Sequence, residues 1–107
     1  MINRIISLMV ANMDFSEKYI EKKGDVIGKE IQSKSVLLNL DNGRYYTLNK
    51  TGTFIWSLLD KKKDLNYIIE RITKQFDIEK DRASLDVQTF IEALGNERLI
   101  IIKDETT

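Results

Sequence analysis

At 107 residues the chain is long enough for one domain around a single modest core, and its 42% hydrophobic and 32% charged content argues against wholesale disorder. Seventeen basic residues balance seventeen acidic ones, which removes any global field that would draw in nucleic acid or an anionic membrane. The absence of cysteine and histidine excludes disulfides, thiolate and imidazole catalysis and the commonest metal ligands.

Residues 1–24 read as an N-terminal appendage. Its apolar run Ile5-Ile6-Ser7-Leu8-Met9-Val10, behind Arg4, is too short for a signal-peptide core and lacks a following small-residue cleavage site. It is also far too short to span a bilayer. The expected location is cytoplasmic, with which a cysteine-free chain is compatible. A strand or short helix packed on the domain suits it, and it could also occupy a vacant sheet edge in its own chain or a neighbour's, which leaves a dimer open.

From Gly24-Asp25 the pattern turns to period two, and residues 25–103 read as the folded domain, with 104–107 a polar tail. Val26 to Gln32 predicts a first strand, interrupted by Gly28, Lys29 and Glu30. Ser35 to Leu40 predicts a second and Arg44 to Leu48 a third, joined through Asp41-Asn42-Gly43. A two-residue loop would pair Leu40 with Tyr45. A three-residue loop would pair Leu38 with Tyr46 and Val36 with Leu48, gathering Val36, Leu38, Leu40, Tyr46 and Leu48 on one face. Because a one-residue slip swaps the faces, the apolar set selects the three-residue loop, with Gly43 left-handed. Either way Tyr45 and Thr47 lie on the face opposite Tyr46 and Leu48.

Three helices follow. Asn49 is a natural N-cap for a helix carrying Gly52, Ile55, Trp56 and Leu59. Asp64 caps a second with the stripe Leu65, Ile68, Ile69, Ile72 and Phe76, closed at Asp77. The third runs from about Lys80 to Glu97, with Ala83, Val87, Phe90, Ile91 and Leu94 on its apolar face, and Leu99 to Ile102 predicts a short buried strand. The class is therefore α+β, a three-stranded antiparallel sheet followed by three helices.

Little in this pattern points to chemistry. Asp77, Glu79 and Asp81 stand beside Lys80 and Arg82 at a helix start, where acids serve the helix dipole better than a metal. Neither a G-x-x-x-x-G-K-[ST] loop nor a G-x-G-x-x-G turn occurs, so no nucleotide, metal or other cofactor is expected, and no enzyme activity. The rival is a winged helix-turn-helix DNA-binding regulator. Against it, the third helix carries Lys80 and Arg82 against Glu79, Asp81, Asp86, Glu92 and Glu97, a surface that a duplex repels. Lys61-Lys62-Lys63 reads as a solvated turn.

The stretch Leu38-x-Leu40-Asp41-x-Gly43-x-Tyr45-Tyr46-x-Leu48-Asn49-x-Thr51-Gly52-x-x-Ile55-Trp56-x-Leu58-Leu59 resembles the PqqD-like family. Leu65 to Phe76 and Asp86-Val87-x-x-Phe90-Ile91-x-x-Leu94 continue the likeness, which spans about residues 26 to 102. The chain departs from the family in carrying lysines where a turn glycine often follows the first helix, and in residues 1–24, which have no evident counterpart. The resemblance implies a RiPP recognition element: a winged helix-turn-helix-like fold that takes a precursor's leader peptide as an added strand beside the third strand, against the third helix. Carried onto this chain, the peptide-binding residues are Arg44, Tyr45, Tyr46, Thr47 and Leu48, with Ala83, Asp86, Val87 and Phe90. The implied partners are the precursor leader peptide and a modifying enzyme, either a radical SAM enzyme or a leader peptidase, in pathways such as those of lasso peptides or pyrroloquinoline quinone.

Overall fold

Turn and cap chemistry place most of the elements in this computed structural model, which describes residues 18–104. In chain order these are β1 (Lys18–Lys22), β2 (Val26–Ile31), β3 (Lys34–Asn39), β4 (Arg44–Leu48), α1 (Lys50–Leu58), β5 (Lys63–Asp64), α2 (Leu65–Phe76), α3 (Lys80–Asn96) and β6 (Ile100–Asp104). Asn49 caps α1 by accepting the Gly52 N–H at 2.8 Å, and Asp64 caps α2 by accepting that of Tyr67 at 2.7 Å. Asp77 ends α2 in the left-handed conformation.

Strands β2, β3 and β4 form an antiparallel sheet in that order, as expected, with β4 at one edge. The register differs from expectation by one residue: Leu37 faces Tyr46, Ser35 faces Leu48 and Asn39 faces Arg44, around a four-residue loop from Leu40 to Gly43. Gly43 is left-handed (φ 71°) and its N–H donates to the Asn39 carbonyl at 2.7 Å. The inward face therefore carries Ser35, Leu37 and Asn39, not Val36, Leu38 and Leu40. The physical reason is Asn39. Its Oδ1 accepts the Asp41 N–H at 2.9 Å, and its Nδ2 lies 3.4 Å from the Glu97 carbonyl and 3.5 Å from that of Arg98. A buried amide so partnered ties the hairpin to the end of α3. Tyr46 and Leu48 stay on the inward side of β4.

A second sheet joins β5, β1 and β6. Of these, β6 is the strand expected at Leu99 to Ile102, displaced to Ile100–Asp104 and buried at its start, with Ile101 and Ile102 exposed. Its pairing with β1, and that of β1 with β5, was not foreseen from the sequence. Ile20 stands opposite both Lys63 and Ile102 and is fully buried. The last part of the expected appendage is thus a strand of the folded body. The apolar run at residues 5–10 lies outside the described residues.

One core unites both sheets and all three helices. It holds Leu37, Leu48, Ile55, Trp56, Leu59, the α2 stripe Leu65, Ile68, Ile69 and Ile72, the α3 stripe Ala83, Val87, Ile91 and Leu94, then Leu99 and Ile100. Burial of each large aliphatic side chain stabilises the fold by about 1.5–3 kcal/mol before entropy is counted. Gly28, which breaks the β2 pattern, lies where a Cβ would stand 3.1 Å from Trp56 Nε1 and 3.0 Å from Leu37 Cδ2. No described helix is long and apolar enough to cross a membrane.

Candidate functional site

The free edge of β4 is the first component. Leu40 donates its N–H to the Asp25 carbonyl at 2.9 Å, so its main-chain groups point toward β2. Directions alternate along a strand, so Asn39, Leu37 and Ser35 turn theirs toward β4 and bond to Arg44, Tyr46 and Leu48. Tyr45 and Thr47 consequently aim N–H and C=O away from the sheet, where no described strand pairs with them. The one-residue register correction leaves this alternation unchanged, because the closing pair still includes Arg44.

The second component is a cavity of about 270 Å³ between the helices, lined by Asn49, Thr51, Gly52, Ile55, Ile72, Ile78, Asp86, Val87 and Phe90. Close packing shapes it: a Cβ on Gly52 would stand 3.2 Å from Phe90 Cε1 and Cζ, so the glycine lets the α3 ring lie against α1. A wider depression of about 570 Å³ runs beside Thr47, Leu48 and the facing ends of β2 and β3, and Asn49 lines both. The two depressions share Asn49 and together make a trough of mixed apolar and polar lining beside the edge strand and the helices.

Among the expected binding residues, Asp86, Val87 and Phe90 come together on the cavity wall. Ala83 does not: it is fully buried and forms no part of that wall. On β4, Tyr45 is 70% exposed on the outer face and Thr47 is exposed beside it, whereas Leu48 is buried. Tyr46 is half-buried and donates its hydroxyl hydrogen to Glu97 Oε2 at 2.9 Å. Arg44 reaches the same carboxylate at 3.8 Å, mostly in solvent. Asp86 accepts from Arg82 Nε at 3.2 Å one helical turn away, an exposed pair of little energetic weight.

Several lining residues were not singled out as contacts from sequence. Asn49 caps α1 and Gly52 admits the Phe90 ring, and both also line the trough. Ile78 carried a usable signal, as the lone apolar residue between Asp77 and Glu79 in a polar helix connection. Thr51, Ile55 and Ile72 carried none separable from folding.

The described residues hold no cluster of acids that could bind a metal. The geometry offers instead open main-chain hydrogen bonds beside a partly apolar trough, which is the equipment for receiving an extended peptide. The family model for coenzyme PQQ synthesis protein D (PqqD) matches residues 34–100. Among solved structures, TbiB1 in complex with the TbiA(beta) leader peptide is 30% identical with a TM-score of 0.71, covering 75% of this chain and 93% of that one. A lasso peptide synthetase B1 complexed with its leader peptide is 18% identical (TM-score 0.68), covering 77% of this chain and 96% of that one. The PqqD truncation of Methylobacterium extorquens PqqCD, a stand-alone RiPP recognition element, is 16% identical (TM-score 0.65), covering 78% and 88%. The last two show the shared fold. No curated protein matches the chain.

Proposed function

The chain belongs to the PqqD family, and on that premise we propose that it binds the leader segment of a ribosomally made precursor peptide without catalysing a reaction itself. The observation that carries this reading is the β4 edge, where Tyr45 and Thr47 direct unpaired main-chain groups outward beside the trough running to Phe90. A leader adds there as an antiparallel strand. Main-chain hydrogen bonds set its direction, and its alternate side chains enter the cavity walled by Gly52, Ile78, Val87 and Phe90. Each main-chain bond contributes only about 0.5–1.5 kcal/mol net, so the apolar side chains supply much of the affinity.

The bound precursor is then presented to a modifying or cleaving enzyme, a radical SAM enzyme or a leader peptidase. Calorimetric titration with synthetic leaders of short precursors encoded beside the chain tests the reading. Saturable binding to one such leader, with amide shifts centred on residues 44–48 and on α3, is expected. Binding that leaves the Tyr45 and Thr47 amides unshifted would overturn strand addition.

A further inference from the structure

The outer face of the β2–β3–β4 sheet is apolar where a solvated sheet face is ordinarily polar. Ile27, Leu38 and Tyr45 stand side by side across the three strands, and Lys29, Val36 and Thr47 form the next row. Ile27 is 55% exposed and Tyr45 70%, with Leu38 half-buried between them. This row ends at Tyr45, on the same edge strand that offers its main-chain groups to a peptide.

We infer that this row is a second recognition surface for the bound peptide, selecting a large apolar, β-branched or aromatic residue at the peptide position opposite Tyr45. The inference rests on the strand-addition reading above and extends it to the sheet's other face. In an antiparallel pair, residues directly opposite each other project from the same face. The peptide residue exchanging both hydrogen bonds with Tyr45 therefore points to the outer face and continues the row Ile27–Leu38–Tyr45. The residue two positions nearer the peptide N-terminus falls opposite Thr47 and extends the row of Val36. The residue between them, opposite Tyr46, points to the helix side. A peptide read only by the trough would leave its outward positions unrestricted. Here the preferred segment is apolar on both faces, a short uninterrupted hydrophobic run.

The test uses a phage-displayed library of random twelve-residue peptides, selected on the full chain and in parallel on Tyr45→Ser. One enriched peptide is then synthesised with serine at the outward position and, separately, at the neighbouring inward position, and affinities for both proteins are measured. We expect the outward substitution to weaken binding to the parent about 1.5- to 5-fold, as for one cross-strand pair, and to have little effect on Tyr45→Ser. The inward substitution should weaken binding to both proteins alike. Enriched peptides with unrestricted outward positions, or an outward substitution that acts equally on both proteins, overturn the inference and leave strand addition standing. If neither protein enriches an aligned set, the strand-addition reading falls and this inference with it.

Discussion

Gly52 and Phe90 touch across the junction of α1 and α3, with room for hydrogen but not comfortably for carbon: an added Cβ would meet the ring at 3.2 Å. Phe90 is half-buried and forms part of the cavity wall, so the ring can yield toward the trough. In Gly52→Ala, alanine's better helix propensity, about 0.8–1 kcal/mol, offsets much of the crowding. The expected result is a melting temperature near the parent's and leader affinity several-fold weaker, measured by calorimetry on the same preparations.

The edge itself is tested by proline. Thr47→Pro removes an N–H that points away from the sheet, where an edge strand tolerates its loss. Tyr46→Pro removes a ladder bond to Leu37 and a half-buried ring bonded to Glu97. Thermal melts should show Thr47→Pro cooperative and modestly destabilised and Tyr46→Pro severely so. Titration should show leader binding by Thr47→Pro reduced at least tenfold, and parental affinity in a cooperatively folded Thr47→Pro would sink strand addition at β4.

Asn39 provides a test of the register. Were its face simply apolar, Asn39→Leu would stabilise the protein. Because the buried amide accepts from Asp41 and lies beside the Glu97 and Arg98 carbonyls, its removal leaves these groups unpaired, at about 1–3 kcal/mol. Denaturant melts should therefore show Asn39→Leu less stable than the parent. Val36→Thr, on the exposed face, should change stability by less than about 0.5 kcal/mol.

A fourth expectation concerns nucleic acid. The chain carries no net charge, and the Arg82 side chain on α3 is bonded to Asp86. Gel shifts with random duplex DNA at physiological salt should show no complex at micromolar protein. A specific, steeply salt-dependent complex would restore the winged-helix regulator as the better reading.

The helices were legible because capping and periodicity agree. Asn49 and Asp64 sit immediately before apolar stripes of period 3.6, and both accept the bonds their positions imply. The strand faces were harder. Val36, Leu38 and Leu40 outweigh Ser35, Leu37 and Asn39 in apolar character, yet the latter are buried, so hydrophobicity alone selects the wrong side. What decides is the hydrogen bonding of Asn39, which depends on carbonyls at the far end of α3 and is invisible to a local pattern. Of the second sheet only β6 was legible, and its partners were not for a similar reason: β5 is only Lys63–Asp64, two polar residues whose strand character comes entirely from pairing with Tyr19 and Ile20. In the site, the cavity wall was partly legible through Val87 and Phe90; Ala83 and Val87 share the stripe and are both fully buried, but only Val87 borders the cavity.

The pairing of β1 with β6 brings Lys18 and Asp104 side by side, the first and last described residues of the fold. Tension between these two points would load the hydrogen bonds of this ladder one rung at a time, from Lys18–Asp104 toward Lys22–Ile100, a peeling geometry rather than a shearing one. A pull between these two points would detach β6, the edge strand held by β1 alone, before β1, which β5 also holds, and would uncover Ile20 on its β6 side. The hairpin carrying β4 belongs to the other sheet and lies outside that line of force, so such a pull would leave the proposed peptide-receiving edge paired as it is.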